Sequence, residues 1–515
     1  MSTPDAPVAD PVLVDRLRAD LADADFGVAR VEEVLGPVAA DALHREQPVP
    51  ALRALERARA DDETTATLVR AFLLGRRVTR RALARALPRT GVDGARGLGL
   101  VVTAGEGDDD ETRALVDLRP YAAVDGNGEV DWWVASDPGE LATGRALRTD
   151  HVLGVGGAST TLAQATVRDP RGTVLDLGTG CGIQALHASR HAQRVVGTDV
   201  STRALAYARF NAALAGVDLE LCEGSLLAPV AGRSFDLVVS NPPFVITPRG
   251  AGVPEYEYRD GGRAGDAIVR ELVENLGEVL APGGVAQLLG NWEVRTGERW
   301  EDRVGAWLDA SGLDGWVVQR EVQDPAQYAE TWLRDGGSTP DRDPQAWAAR
   351  YGAWLDDFAS RDVETIGFGL VTLRRPPSGG PTLRRLEEVT GTLQPPLGPA
   401  VAASLAAHDW LAARDDAALA AEHLRVAADV TEERYLTPGD PDPRVVLLRQ
   451  GGGFARAVQA GTALAGFVGA CDGELTVGQI VGALGALLDV PSDEVAADVL
   501  PSVRGLVRDG LLLPA

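Results

Sequence analysis

The sequence predicts an α/β protein with a central Rossmann-like sheet domain. An N-terminal α+β domain that resembles a winged helix precedes it, and a mostly helical domain ending in a second winged-helix-like module follows it. Strand-like and helix-like segments alternate over residues 151–375, which favours parallel strands joined by right-handed crossovers. A Pro- and Gly-rich stretch, residues 376–381, is typical of a linker. We therefore expect three domains, at residues 1–150, 151–375 and 382–515.

The N-terminal domain begins with helical periodicity over residues 12–90, where leucines recur four residues apart. Strand-like runs follow over residues 101–135, with a hairpin turn at 125–128. This order of helices and strands predicts a winged helix. The predicted domain also carries a cluster of basic residues. A groove for RNA phosphates or an acidic partner is one interpretation of the cluster, and a solvated helix face is the favoured one. The cluster consists of Arg76, Arg77, Arg80, Arg81, Arg85, Arg89 and Arg96.

The central domain is predicted from apolar, β-branched runs that alternate with helical segments. The expected parallel strands are residues 174–177, 194–199, 219–223, 235–240 and 284–289. The expected helices are residues 184–190, 201–215 and 268–280. Residues 316–322 and 368–374 suit a terminal antiparallel pair, with a helical insertion at roughly 325–360 between them.

The C-terminal domain is predicted to be mostly helical. Its last stretch, residues 473–513, again resembles a winged helix, in which Thr476 can cap a helix. This stretch shows no basic stripe, so we expect a packing or protein-binding module.

Composition limits the function classes. All 50 basic residues are arginine and the formal net charge is −25, which argues against tight binding to bare nucleic acid. The three cysteines, Cys181, Cys222 and Cys471, form no CxxC pair, so we expect neither a disulfide framework nor a metal site. No apolar run approaches the roughly 20 residues that span a bilayer, and residues 1–11 lack the pattern of a secretory signal. The sequence thus predicts a cytoplasmic protein without a membrane partner, from a GC-rich bacterial genome.

A strand followed by a glycine-rich turn, residues 174–182, predicts a cofactor-binding loop. Gly178, Gly180 and Gly182 allow positive φ and let the backbone approach a ligand closely. Nicotinamide and flavin enzymes also use glycine-rich turns, so the turn alone does not identify the cofactor. The spacing here is GxGxG rather than GxGxxG, and Asp176 precedes it, where it can meet the amino group of a methionine. These two details favour S-adenosylmethionine (SAM).

Asp199 ends the second predicted strand, downstream of the glycine turn. In open α/β folds an acid at this place accepts hydrogen bonds from the ribose hydroxyls of a bound nucleoside. The alternative is a helix cap or a solvated charge at the strand end. Because the glycine turn precedes it, we favour ribose binding.

The segment Asn241-Pro242-Pro243-Phe244 follows the fourth predicted strand, at the sheet edge where ligands bind. An amide or exocyclic amine nitrogen attacks poorly because its lone pair is delocalised, so the nitrogen must be positioned. The Asn241 oxygen and the Pro242 carbonyl can accept its two N–H groups, and two prolines stiffen this geometry. Phe244 can cover the planar group and stabilise the positive charge that develops on nitrogen. The alternative, a rigid turn without chemistry, is disfavoured by the upstream glycine turn and acid.

Residues 151–375 resemble class I SAM-dependent methyltransferases of the HemK/PrmC type, which carry a small methyltransferase domain. In that family the (N/D)PP(Y/F) motif binds a glutamine side chain or a base amine. Residues 241–248, Asn-Pro-Pro-Phe-Val-Ile-Thr-Pro, are similar to eukaryotic and archaeal HemK-like enzymes. Residues 258–266 are similar to the family's glycine-rich segment before the next helix.

The resemblance implies a class I methyltransferase fold, SAM as the cofactor and a set of site residues. The catalytic residues would be Asn241, Pro242, Pro243 and Phe244. The cofactor-binding residues would be Thr160, Asp176, Gly178, Thr179, Gly180, Gly182, Asp199, Val200, Glu223, Gly224, Ser225 and Asn241. The family often has an aspartate near the adenine amino group, and in this chain either Glu223 or Ser225 takes that place.

Two classes of methyl acceptor stay open. The favoured acceptor is a protein glutamine side chain, with a translation factor or ribosomal protein as the partner, because of the Val-Ile-Thr-Pro extension and the acidic charge. The alternative is an exocyclic amine of adenine or guanine in structured RNA, ribosomal or transfer, because of Phe244 and the arginine cluster. A small-molecule methyltransferase and a non-catalytic scaffold are less favoured.

Overall fold

The computed structural model describes residues 5–144, 147–249 and 256–515. They form two compact units. One contains the chain up to Ala163 together with Pro170–Glu388, and the other contains Gln164–Asp169 together with Val389–Ala515. None of the helices in the described ranges is both long enough and apolar enough to cross a membrane. The division into three domains stays a prediction.

The N-terminal part of the first unit is an α+β region. Its helices are α1 Pro11–Asp23, α2 Val28–Leu35, α3 Pro37–His44, α4 Val49–Glu56, α5 Glu63–Leu68, α6 Arg80–Ala86, α7 Gly91–Gly97 and α8 Glu140–Thr143. Its strands are β1 Val78–Thr79, β2 Val101–Thr103, β3 Glu111–Ala114, β4 Asp117–Asp125 and β5 Gly128–Ser136. Strands β1, β3 and β2 form a small antiparallel sheet, and β4 and β5 form the hairpin expected at 125–128. The winged-helix interpretation of this region stays a prediction.

The leucine repeat of α1 builds the core of this region. Leu17 and Leu21 are fully buried, since residues four apart lie on one face of a helix. Phe26 and Phe72 belong to the same apolar cluster, which extends to residues of the central sheet domain such as Ile183 and Phe210. The N-terminal region therefore shares a continuous core with the elements that follow the glycine turn.

The central domain is a sheet of mostly parallel strands, as predicted. Its strands are β6 Arg171–Leu177, β7 Ala192–Asp199, β8 Glu220–Glu223, β9 Phe235–Ser240, β10 Leu280–Arg295, β11 Asp314–Gln323, β12 Val363–Arg374 and β13 Arg384–Glu388. In the described part of the chain they lie in the order β13-β11-β12-β10-β9-β6-β7-β8. Strands β6 to β10 pair in parallel, whereas β12 is antiparallel to both β10 and β11.

The helices of this part follow the strands at the expected places. They are α9 Gly157–Ala165, α10 Ile183–Ala188, α11 Thr202–Ala215, α12 Ala267–Asn275, α13 Trp300–Ser311, α14 Pro325–Asp335 and α15 Pro344–Ala359. Ser201 caps α11, and Gly216 ends it in the left-handed region, where glycine has no steric penalty. Helices α14 and α15 form the insertion expected at 325–360.

Two predicted boundaries are wrong. The helix expected to reach residue 280 ends at Asn275 and continues only as a 3₁₀ turn to Glu278. The strand expected at 284–289 runs over Leu280–Arg295, because it pairs with β9 on one side and with β12 along most of its length on the other. Strand β13 was not expected; it pairs in parallel with β11 and extends the sheet past residue 381.

The second unit combines helices with short strands. Its helices are α16 Gly398–Ala412, α17 Asp416–Ala420, α18 Thr462–Gly469, α19 Val477–Leu488 and α20 Ser492–Arg508. Its strands are β14 His423–Val426, β15 Val430–Leu436, β16 Pro443–Gln450, β17 Ala457–Ala460, β18 Asp472–Thr476 and β19 Leu512–Pro514. Thr476 caps α19, as expected. The antiparallel sheet of β15, β16 and β17 was not expected from the sequence.

Candidate active site

Three neighbouring parallel strands end at one edge of the central sheet. β6 lies between β7 and β9, so the strand order reverses direction at β6. The glycine turn follows β6, Asp199 ends β7 and Asn241 follows β9. Ligands of open α/β folds bind in the crevice at such a reversal, outside the carboxyl ends of the strands.

A cavity of about 340 Å³ opens at this edge. Its wall combines the glycine turn, the ends of β7, β8 and β9, and two segments that approach from outside the sheet. Lining residues include Leu177–Cys181, Asp199, Val200, Gly224, Ser225, Leu226, Asn241, Pro242, Pro243, His151–Gly154, Glu257, Tyr258 and Asp260–Arg263. The cavity thus brings together most of the residues predicted from the sequence.

All three glycines of the turn adopt positive φ, at 73° for Gly178, 56° for Gly180 and 90° for Gly182. Among the described residues, nothing lies within 4 Å of where a Cβ of Gly178 or Gly180 would stand. These two glycines therefore leave open space in the cavity wall for a close ligand. Gly182 does not line the cavity; its Cβ would lie 3.2 Å from Ala208, so it lets the turn pack against α11.

Asp176 is buried behind the glycine turn and binds it by hydrogen bonds. It is 1% exposed, and its Oδ2 accepts hydrogen bonds from the Thr179 hydroxyl at 2.7 Å and from the Ala185 N–H at 2.9 Å. The cavity wall formed by the described residues does not include Asp176. Its Oδ2 joins the turn to α10, and the expectation that the side chain meets the methionine amino group stays a prediction.

Burial raises the pKa of Asp176 to about 7. The folded state then keeps a proton that the unfolded chain releases near pH 4. We expect the free energy of unfolding, compared with that of Asp176→Asn, to fall by about 1.4 kcal/mol per pH unit between pH 5 and 7. Urea titrations of both proteins across this range check it, and parallel pH profiles would contradict the raised pKa.

Asp199 lies at the cavity wall beside Val200. Its Oδ2 accepts from the Gly180 N–H at 2.9 Å and its Oδ1 from the Ser201 N–H at 2.9 Å. Burial raises its pKa. A carboxylate has about four lone-pair sites, more than the backbone N–H groups occupy, so the side chain is both tied to the glycine turn and able to accept from a ligand.

Asn241 lies on the same wall, next to the turn. Ser240 anchors the end of β9 because its hydroxyl donates to the Leu177 carbonyl at 2.7 Å. The Asn241 Oδ1 is buried, and no described residue offers it a hydrogen bond. An amide oxygen buried without a partner is costly, which indicates that a ligand donor belongs there.

Phe244, by contrast, does not reach the cavity in the described part of the chain. Its ring packs edge-on against Trp332 of α14, with ring centres 6.4 Å apart. Its backbone forms an isolated bridge with Asp260, and the next residue, Val245, donates its N–H to the Arg259 carbonyl. Contacts with the insertion thus hold the ring away from the cavity wall, and the expectation that it covers the acceptor stays a prediction.

Two further predicted contacts also lie off the wall. The Thr160 hydroxyl donates to the Gly156 carbonyl at 3.2 Å, within the first turn of α9, and its neighbour Ser159 lines the cavity instead. Glu223 is exposed, whereas Gly224 and Ser225 line the cavity. Of the two alternatives for the adenine amino group, the placement favours Ser225.

Residues 147–154 form a strap, and its residues His151–Gly154 line the cavity. The Val152 N–H donates to Asp137 Oδ2 at 2.8 Å, and Arg203 of α11 binds both Asp137 oxygens at 2.8 Å. Arg203 also donates to the Asp150 carbonyl at 2.7 Å. His151 is buried in this strap, and burial lowers its pKa. The strap lies just before the predicted cofactor-binding loop in the sequence, and the fold brings it to the site.

The arginine cluster of the N-terminal region is largely neutralised by carboxylates. Arg80 contacts Asp93 at 3.0 Å and Glu106 at 3.3 Å, and Arg81 contacts Asp109 at 3.3 Å. Arg77, Arg89 and Arg96 also form ion pairs. Five of the seven arginines are thus paired with acidic side chains. This favours a solvated helix face, whose charge is neutralised within the region, over a groove for phosphates.

Cys181 lines the cavity but is not a nucleophile. It is buried, and burial raises the pKa of its thiol to about 11, so the reactive thiolate is not populated near neutral pH. Among the described residues, no cluster of three or more His, Cys, Asp or Glu side chains could hold a metal ion.

Three family matches cover separate parts of the chain. Residues 154–311 match the methyltransferase small domain. Residues 23–115 and 402–514 match two domains of unknown function, DUF7059 and DUF7782. The central match spans the turn, Asp199, Asn241 and the segment around Tyr258.

Curated relatives resemble the same central part. A release factor glutamine methyltransferase of Deinococcus radiodurans is 42% identical over 130 residues, 24% of this chain and 46% of that protein. A ribosomal protein uL3 glutamine methyltransferase of Bradyrhizobium diazoefficiens is 31% identical over 34% of this chain and 59% of its own length. A ribosomal RNA small subunit methyltransferase C of Alcanivorax borkumensis is 32% identical over 24% of this chain and 33% of its own length. The chain spans about half the length of the curated relatives it matches.

Proposed function

We propose that this protein, whose residues 154–311 belong to the methyltransferase small domain family, transfers a methyl group from SAM to a protein glutamine side chain. One observation carries the proposal. The buried Asn241 Oδ1 has no partner among the described residues, and Asn241 lines the cavity that the glycine turn and Asp199 also line. A hydrogen-bond acceptor for a planar amide thus lies beside a nucleoside pocket.

The residues present fit SAM. The open space beside Gly178 and Gly180 is a cradle that side chains would fill, and it suits the methionine part. Asp199 has acceptor capacity left for the two ribose hydroxyls. Ser225 and Leu226 lie at the end of β8, where they can border the adenine.

Bound SAM supplies an electrophilic methyl group on a sulfonium centre. Asn241 Oδ1 would accept one N–H of the acceptor amide and the Pro242 carbonyl would accept the other, which would fix the nitrogen in position for attack. Both oxygens are negative ends of fixed dipoles, which stabilise the positive charge that nitrogen gains during transfer. The methylated nitrogen would then release its surplus proton to solvent.

Charge favours a protein acceptor over RNA. The arginines that suggested a phosphate groove are mostly paired with acids. Glu257 lines the cavity as an exposed carboxylate, which repels the phosphates of an incoming nucleic acid. Two of the three relatives named above are glutamine methyltransferases.

Methylation of an exocyclic amine in RNA is the second candidate. The similarity to a ribosomal RNA methyltransferase supports it, since a base amine is also planar and offers two N–H groups. An RNA acceptor would have to present an unstacked base to the cavity.

Labelled SAM and a cell extract separate the two candidates. We expect purified enzyme to label a SAM-depleted bacterial extract, and the label to survive ribonuclease treatment but disappear after protease treatment. Enzyme carrying Asn241→Ala, added at equal concentration, measures labelling by the extract's own enzymes. Label that is lost to ribonuclease and survives protease would contradict the glutamine proposal.

A further inference from the structure

The insertion formed by α14 and α15 lies beyond the residues that match the methyltransferase family, yet it contacts the motif that follows β9. The Ile246 N–H donates to the Tyr328 hydroxyl at 2.9 Å. Trp332 packs edge-on against the Phe244 ring. The insertion therefore determines where the motif's own aromatic side chain points.

The same insertion holds residues 256–263, which run beside the motif. A Cβ on Gly261 would lie 2.8 Å from the Pro243 carbonyl oxygen, so glycine lets this segment lie directly against the motif. The Arg259 guanidinium is 7% exposed and donates to the Trp332 carbonyl at 2.9 Å and to Asp335 at 3.1 Å. Its other face covers the Tyr256 ring at 4.5 Å. Arg259 thus fastens the segment to α14 by charge, hydrogen bonds and ring contact together.

Tyr258, the residue before this anchor, lies on the cavity wall. Its ring meets the His151 ring of the strap at an angle of 67°, with ring centres 5.8 Å apart. Its hydroxyl lies 3.4 Å from Asp335 Oδ2, the same oxygen that Arg259 contacts. Burial raises the pKa of Tyr258, so its side chain is a neutral phenol at physiological pH.

We propose that Tyr258, rather than Phe244, is the aromatic residue that contacts the methyl acceptor, and that Asp335 of the insertion positions it. The inference rests on the proposed function and adds a determinant of acceptor specificity to that site. The aromatic ring required beside a planar amide is present on the wall, but it comes from the 256–263 segment. Its position depends on a helical insertion outside the methyltransferase family match, so acceptor choice is set partly by that insertion.

Substitutions that leave the cofactor pocket intact test this assignment. We expect Tyr258→Leu to raise the amount of ribonuclease-treated extract needed for half-maximal methyl transfer by about tenfold, with SAM affinity unchanged by calorimetry. Phe244→Leu, a change of the same kind at the motif, should stay within about threefold of wild type. Tyr258→Phe should keep most of the affinity, because the ring is retained.

Asp335 is 46% exposed on its side chain, so its replacement is compatible with folding. We expect Asp335→Ala to raise the half-saturating amount of extract about threefold, with the rate at saturation unchanged. Combined with Tyr258→Leu it should add nothing further, since the residue it positions is gone. Glu330→Ala, which removes another exposed acid of α14 from its pair with Arg334, is the matched control and should resemble wild type.

The outcomes separate this inference from the proposed function. Wild-type enzyme that binds SAM but labels no extract component overturns the proposed function, and this inference with it. If the wild type is active but Tyr258→Leu changes the half-saturating amount of extract by less than threefold, this inference alone is overturned. The same holds if Phe244→Leu raises that amount more than Tyr258→Leu does. Additive effects of Tyr258→Leu and Asp335→Ala would remove the positioning role of Asp335.

Discussion

An Asn241→Ala variant is expected to bind SAM within about threefold of wild-type affinity and to lose methyl transfer by about a hundred- to a thousandfold. The change removes the buried Oδ1 acceptor that has no partner among the described residues. Removing one preorganised polar group from a site of charge development costs this much in other enzymes. SAM affinity should persist because Asp199 and the glycine turn, not Asn241, hold the nucleoside and methionine parts in the proposed complex.

Calorimetry with SAM and a labelled-methyl assay on cell extract measure the two quantities separately. Asn241→Asp is the conservative comparison, because it keeps an oxygen at the Oδ1 position and should retain more activity than alanine. If Asn241→Ala keeps turnover within tenfold of wild type, or loses SAM binding while the remaining bound enzyme turns over normally, the acceptor-holding role is wrong.

The central fold follows from sequence because the inner strands of its sheet are apolar on both faces. Residues 235–240 form a strand as predicted, and its β-branched run is buried between β6 and β10. The glycine turn and the acid that ends the next strand were predicted from sequence pattern and spacing, and parallel pairing brings them to one sheet edge. Short-range pattern and global topology agree here, so the prediction is confirmed for the fold.

The strands that lack apolar runs were not predicted from the sequence. β13 has the sequence Arg-Arg-Leu-Glu-Glu at the edge of the central sheet, and β15 is mostly polar and exposed. Their sequences show little alternation of apolar and polar residues, because one or both faces of these strands are in contact with solvent. The position of β13 is set by pairing with β11, which is distant in the sequence. The position of β15 is set by pairing with β16, which follows it after a turn.

The sequence also does not predict which way the side chains of the site point. Spacing placed Asp176 and Phe244 at the sheet edge correctly, but it could not show which way they point. The Ala185 N–H draws the Asp176 carboxylate inward, and Trp332, 88 residues along the chain, draws Phe244 away. Tyr258 lies in the glycine-rich segment, where the sequence pattern does not distinguish it; its place on the cavity wall depends on the contact between Arg259 and the insertion. The roles of the site residues stay predictions.

An Asp199→Ala variant is expected to show the opposite pattern to Asn241→Ala. It should weaken SAM binding by about 30- to 100-fold, which corresponds to roughly 2–3 kcal/mol for lost hydrogen bonds to a carboxylate. Methyl transfer at saturating SAM should stay within a few fold of wild type, because Asp199 has no contact with the acceptor side of the cavity. Asp199 also holds the Gly180 N–H, so part of the loss comes from a looser turn.

Asp199→Asn distinguishes these two parts of the loss. It keeps one oxygen for the Gly180 N–H but cannot accept from both ribose hydroxyls, so its affinity should fall between wild type and alanine. Asp218→Ala removes an exposed acid just before β8 and should leave SAM affinity unchanged. Because the variants are compared by calorimetry with SAM alone, the result does not depend on the acceptor. An Asp199→Ala protein that binds SAM as tightly as Asp218→Ala would place the nucleoside elsewhere and remove the premise that the cavity beside Asn241 is a cofactor site.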